Sequence, residues 1–209
     1  MNAPILRCLG EVPFDICFEH MRSFTRERHA STADEIWLLT HPSVYSLGLN
    51  GNPAHVLGHL PAPLIRTDRG GQVTWHGPGQ LVIYTLLDLQ RLGIGIRAYV
   101  TLIEASVITL LSQYGLEASS RADAPGVYVA DEKIASVGLK VTRGRCYHGF
   151  SLNVNPDLSA FDYINPCGYE GLKVTSLEKL GVFSTPDEIM PGILTTFLSQ
   201  PLFQNTARS

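Results

Sequence analysis

The spacing of its apolar runs constrains this chain most: they are short, numerous and not separated by regular helices. Stretches at 5–9, 35–40, 64–67, 72–75, 81–87, 126–130, 133–141 and 146–154 have the length and period of strands. Two segments carry a clear helical period. Phe14, Cys17, Phe18, Met21 and Phe24 mark one through about Arg28. Leu102, Ile103, Val107, Leu110, Leu111 and Tyr114 mark another over 97–114, with Gly115 as its stop. A doubly wound parallel sheet needs regular strand–helix alternation, which is missing. The pattern predicts a single α+β domain, 1–209, with a mixed or antiparallel sheet and helices on one side.

Turn chemistry fills in the rest. Asp131-Glu132 and Arg143-Gly144 separate the last three strands into a meander. Residues 41–63, rich in Pro, Gly and Asn, read as a loop too long for a plain connector. Thr175 followed by Glu178 is a capping-box pattern expected to open a short helix. Thr185 with Glu188 repeats it with Pro186 at the first helical position, and Pro191 is expected to kink or restart that helix.

Composition excludes several classes. A net charge of −3 argues against nucleic-acid binding through bulk positive charge. The four cysteines, Cys8, Cys17, Cys146 and Cys167, show no C-x-x-C spacing and suit reduced thiols better than a disulfide framework. Cys8 and Cys17 lie on apolar periodic faces and Cys146 opens a strand, so all three read as buried structural residues. The N-terminus lacks a basic stretch followed by an apolar core, and no apolar run reaches the roughly 18 residues of a membrane span. The expectation is a cytoplasmic protein with neither membrane nor nucleic acid as partner.

Chemistry-bearing residues concentrate in three places. Arg69, Gly70, Gly71, Gln72, Val73, Thr74, Trp75 and His76 lead through a second glycine turn to Gln80 and an apolar strand, more polar function than a hairpin needs. The G-x-x-x-x-G-K-[ST] phosphate loop is absent. Cys167 lies between Pro166 and Gly168 in a loop read as preceding a helix, where a sulfur is accessible and backbone N–H groups can meet an oxyanion. Such a nucleophile needs a partner that favours its thiolate, and His76, His148, Lys133 and Lys173 are the candidates. His55 and His59 are four apart, but Gly58 and the absence of an evident third ligand argue against a metal site.

The segment R-G-G-x-x-T-W-H-x-P-G-Q-L-V-x-Y at 69–84 closely resembles the signature of the lipoate-protein ligase B family, the octanoyl-[acyl-carrier-protein]–protein N-octanoyltransferases. Gly126-Val127-Tyr128 with 133–138, His148 through Asn155, and Pro166-Cys167-Gly168 agree with it in order, from about residue 30 to 180. The resemblance implies the biotin/lipoate ligase catalytic fold over about 30–209, a mixed, largely antiparallel sheet flanked by helices. It implies Cys167 as acyl-thioester nucleophile and Lys133 as the residue that tunes it. Arg69–His76, Ser136, Val137, Gly138, Gly149, Phe150 and Ser151 become the acyl-pocket walls, with Val73, Val137, Leu139 and Phe150 against the alkyl chain.

The implied donor is octanoyl-acyl carrier protein. The implied acceptors are lysines of lipoyl domains of 2-oxoacid dehydrogenase complexes and of the glycine cleavage H protein. No cofactor, ATP or metal is implied. Alternatives on the same residues are an ATP-dependent lipoate or biotin ligase, which would not need Cys167, a cysteine thioesterase using His76 or His148 as base, and a silent binding module. Lys140, Arg143 and Arg145 crowd one predicted hairpin and are a candidate landing site for the acidic carrier.

Overall fold

Strands β2 (Glu35–Thr40) and β6 (Gln80–Leu86) are apolar at nearly every position, and both faces of each are buried. Ile36, Leu38, Leu81 and Ile83 enter one core; Trp37, Leu39, Val82, Tyr84 and Leu86 enter another, the period-two alternation of a doubly covered strand. The computed structural model, which describes residues 3–204, sets them inside a seven-stranded sheet. Its order is β1 (Ile5–Glu11), β2, β6, β10 (Arg145–Asn153), β9 (Glu132–Thr142), β8 (Gly126–Val129) and β7 (Ser119–Ser120). The β1–β2 pair is parallel and every other neighbouring pair antiparallel. A three-stranded sheet lies beside it, with β3 (Val44–Leu47) parallel to β4 (Leu64–Arg66) and antiparallel to β5 (Val73–His76).

Helix α1 (Phe14–Glu27) covers one face through Phe14, Cys17, Phe18 and Met21. Helices α2 (Ile96–Gln113) and α3 (Pro186–Leu198) cover the other through Val107, Leu110, Ile189 and Ile193. A short α4 (Pro201–Gln204) follows. The mixed α+β architecture is therefore the expected one, but its helices lie on both faces rather than one. The two-sided apolar character of β2 and β6 requires this.

Several local expectations change. The 41–63 stretch, read as one long loop, contains β3 and a 3-10 turn, Pro53–His55. All four residues of β3 are buried, so it has no alternation to read. Thr175 opens no helix. Lys179 N–H is instead capped by Ser176 Oγ at 3.2 Å, and Gly181 at φ 86° closes that single turn. The Thr185 capping box forms, and α3 runs through Pro191 as one element. Thr195 Oγ1 donates to the Pro191 carbonyl at 2.8 Å within it. Cys8 is exposed, because β1 is an edge strand whose seven residues are all exposed. Cys17 and Cys146 are buried as expected, and burial pushes both thiols up to about 12. No described helix is long and apolar enough to cross a membrane. The first two and last five residues of the 1–209 span lie outside the described residues.

One buried ion pair ties the elements together. Arg28, the C-cap of α1, donates to Asp34 Oδ1 at 2.5 Å and to the Leu86 carbonyl at 3.0 Å. Asp34 also accepts from Asp88 N–H at 2.9 Å and from Arg91 at 2.7 Å. Asp34→Ala would leave the Arg28 guanidinium buried without a carboxylate, a loss of about 3–5 kcal/mol. Urea unfolding checks it; a midpoint matching that of the exposed Glu27→Ala variant would contradict the assignment.

Candidate active site

Cys167 lies in a tight 3-10 turn, Pro166–Gly168, and not ahead of a helix. Its own φ of 58° is in the left-handed region, which costs a non-glycine residue about 1–2 kcal/mol. Gly168 continues the turn at φ 83°, where a Cβ would come within 2.7 Å of Gln72 Cγ. The Pro-Cys-Gly sequence thus fits a sharp turn that aims the sulfur. Asn165 N–H bonds the His55 carbonyl at 2.8 Å on one side of the turn. On the other side, residues 173–175 run beside β9: Lys133 N–H bonds the Lys173 carbonyl and Thr175 N–H the Lys133 carbonyl, each at 2.9 Å. Those bonds bring Lys133 and Cys167 together across 34 positions of sequence.

Lys133 is 2% exposed. Its Nζ donates to Cys167 Sγ at 3.0 Å and to the Pro125 carbonyl at 2.9 Å, and lies 5.4 Å from the Tyr128 ring centre. Gly126 makes room for it, since a Cβ there would lie 2.5 Å from Lys133 Cε. Burial pulls the ammonium's pKa down, but Cys167 and Tyr128 outweigh it, and the net shift is upward. Lys133 therefore rests as a cation, not as the partly neutral amine that burial alone would favour.

The pair sits in the wall of one cavity of about 390 Å³. Arg69, Gly70, Gly71, Gln72, Val73, Thr74, His76, Ser136, Val137, Gly138, Leu139, Gly149, Phe150 and Ser151 all line it. Trp75 does not: its ring packs edge-on to Phe161, and its Nε1 donates to Ser43 Oγ at 2.8 Å. Buried Arg69 pins the wall by donating to the Ser46, Gly70 and Gln72 carbonyls at 2.7–2.9 Å. Burial lowers its pKa to about 10, so it stays charged at neutral pH. Further lining comes from Phe14, Val82, Tyr84, Ile96, Val100, Ala124, Pro125 and Tyr169. Phe14 reads in sequence as core, and Tyr169, two residues after Cys167, is the one whose position offered a signal.

The histidines belong to the cavity's frame. His76 Nδ1 meets Gln80 Oε1 at 2.6 Å, and His148 Nε2 lies 3.0 Å from Asp68 Oδ1. His41 bridges the Val12 carbonyl and Tyr84 hydroxyl at 2.6 and 2.7 Å. Burial lowers His76 to about 3 and His41 to about 4, and outweighs Asp68 in lowering His148. The hairpin carrying Arg143 and Arg145 lies at the far end of β9, roughly 30 Å along the strand from Lys133 at about 3.3 Å per residue. Proximity to Ser136–Gly138 in sequence does not bring it to the sulfur, so the carrier landing site expected there is not supported.

The imidazole shifts fix a pH response. These histidines are neutral when folded and take protons on unfolding below about 6.5, so their contribution is full above that pH and is lost as pH falls toward 4. Each steepens the fall by up to about 1.4 kcal/mol per pH unit. Urea unfolding between pH 6 and 5 should show a shallower slope in His41→Gln than in the parent; an unchanged slope would contradict the burial argument.

Comparison with known proteins identifies the family and the fold. The lipoyl protein ligase A/B catalytic domain matches residues 16–198. An octanoyltransferase of Methylococcus capsulatus is 58% identical over 178 residues, 85% of this chain and 86% of the relative. One from Laribacter hongkongensis is 47% identical over 97% of this chain and 99% of the relative. Among solved structures, a lipoate-protein ligase A bound with ATP superposes with TM-score 0.77 at 14% identity, covering 99% of this chain and 93% of that one. A biotin protein ligase from Aquifex aeolicus gives 0.61 at 16% identity, over 98% and 73%. These two likenesses establish the fold. The chain belongs to the lipoyl protein ligase A/B catalytic-domain family, and within it to the octanoyltransferases, which are acyltransferases.

Proposed function

We propose that this chain transfers an octanoyl group from acyl carrier protein to a lysine of lipoyl domains, through a thioester on Cys167. The acceptors are the lipoyl domains of 2-oxoacid dehydrogenase complexes and the glycine cleavage H protein, and the compartment is the cytoplasm. The observation that carries the reading is the Lys133 ammonium 3.0 Å from the Cys167 sulfur in the wall of a cavity suited to an alkyl chain. That contact sets a cation beside the sulfur that would attack. A chain held against Val73, Val137, Leu139 and Phe150 is stabilised by roughly 0.8 kcal/mol per CH₂. Four free cysteines support a reducing compartment.

The steps balance without ATP. Cys167 thiolate attacks the donor's thioester carbonyl, the bond to the phosphopantetheine sulfur breaks, and that sulfur leaves with a proton from Lys133. The enzyme is then an S-acyl thioester beside a neutral lysine. The neutral acceptor amine attacks the same carbonyl and gives a proton to Lys133, and Cys167 leaves as thiolate. The upward pull on Lys133 comes from Cys167 and Tyr128. Acylation removes the sulfur's share while burial remains, so Lys133 releases its proton in the first half-reaction and is a base in the second.

The ligase reading gives Cys167 no role, and the contact between the two side chains favours transfer. A thioesterase using His76 or His148 as base is disfavoured because the side chain that meets the Cys167 sulfur is Lys133, whereas His76 Nδ1 faces Gln80 and His148 Nε2 faces Asp68. Intact mass spectrometry after mixing with octanoyl-carrier protein, without ATP, tests the proposal. Wild type should gain one octanoyl group that hydroxylamine removes, and Cys167→Ala should gain none. Label on Cys146, or none on wild type, would end this reading.

A further inference from the structure

The buried face of helix α2 is apolar except at Ser106, whose hydroxyl bonds the helix's own Leu102 carbonyl, and at Glu104, the helix's one acidic residue, which is 7% exposed. The carboxylate's hydrogen-bond partner is the Gly126 N–H, 2.8 Å from Oε1. That N–H belongs to the same peptide unit as the Pro125 carbonyl, which accepts the Lys133 ammonium at 2.9 Å. One rigid peptide plane therefore has the carboxylate at one end and the catalytic ammonium at the other.

The neighbouring bonds follow the same plan. The Asp123 carbonyl accepts the hydroxyl of Tyr169, two residues past Cys167, at 2.6 Å, and the Ala124 carbonyl accepts Tyr128 OH at 2.7 Å. Residues 123–126 thus form a backbone bridge between the Cys167 turn and Lys133, and Glu104 ties that bridge to α2. Val100 and Ile96, one and two turns earlier on the same stripe, line the acyl cavity.

We propose that Glu104 is a positioning residue for transfer: by accepting the Gly126 N–H it holds the Pro125–Gly126 peptide so that the Pro125 carbonyl keeps the Lys133 ammonium against the Cys167 sulfur. The inference rests on the Cys167–Lys133 reading and deepens it. What matters is an acceptor oxygen with the reach of a glutamate, not the charge.

The test compares Glu104→Asp, which keeps the charge but shortens the reach, with Glu104→Gln, which keeps reach and acceptor but loses the charge. Both are assayed as full-length protein for octanoyl transfer from carrier protein to a lipoyl domain, with melting temperature measured alongside. A misplaced catalytic group loses up to about a hundredfold in rate per 1 Å. Glu104→Asp is expected to lower kcat by about tenfold or more with KM for the donor little changed, and Glu104→Gln to recover most of that loss. Equal loss in both variants, loss in neither, or a drop in melting temperature with kcat intact would overturn the proposal. Lys133→Ala, run in parallel, separates the two levels. If it transfers normally, the dyad reading itself fails. If it is inactive while Glu104→Asp behaves as wild type, the Glu104 inference fails by itself.

Discussion

A charged ammonium loses its water when buried, and it is tolerated only where fixed groups replace that water. At Lys133 the replacements are the Cys167 sulfur, the Pro125 carbonyl and the face of Tyr128. Much of the surrounding structure exists to hold those groups in place. Gly126 leaves space for the lysine stem, the Lys173–Thr175 segment lies along β9 to deliver the cysteine turn, and Cys167 takes a strained left-handed conformation. Strain of this kind persists only where neighbouring bonds over-determine it, as the anchors to His55 and Lys133 do here.

The same contact separates the cysteines chemically. Burial without a cation pushes Cys17 and Cys146 up to about 12 and leaves them inert, whereas Cys167 faces an ammonium within a cavity wall. The cavity's polar frame is quiet by contrast. His41, His76 and His148 are kept neutral by burial, and Arg69 satisfies its donors on backbone carbonyls and Ser46.

Sequence alone carried much of this, and where it failed the reasons are physical. Lys133 and Cys167 were conspicuous, the one opening an apolar strand and the other held between Pro166 and Gly168. Their contact was not legible from spacing, because it is made by a segment, 173–175, that has no periodic signature. Fully buried β3 has no alternation to detect, and the two-sided covering of β2 and β6 is ambiguous until α1 is seen on its face. The 69–76 motif places Trp75 in the cavity wall by resemblance, yet its ring packs against Phe161. Arg143 and Arg145 followed the pocket segment in sequence, but an extended strand carries them away from it. Phe14, Ile96 and Val100 look like ordinary helix core and became cavity wall only through packing.

The account depends on Lys133 changing its proton affinity when the sulfur changes its charge. Nuclear magnetic resonance of Lys133, labelled at the side chain and titrated in the free enzyme and in the S-octanoyl enzyme, observes this directly. In the free enzyme the titration should lie above the ordinary lysine value, because Cys167 and Tyr128 overcome burial. In the acylated enzyme it should move downward, since the sulfur no longer holds the ammonium while burial still opposes it. A titration at the same pH in both forms, or one that rises on acylation, would contradict the account.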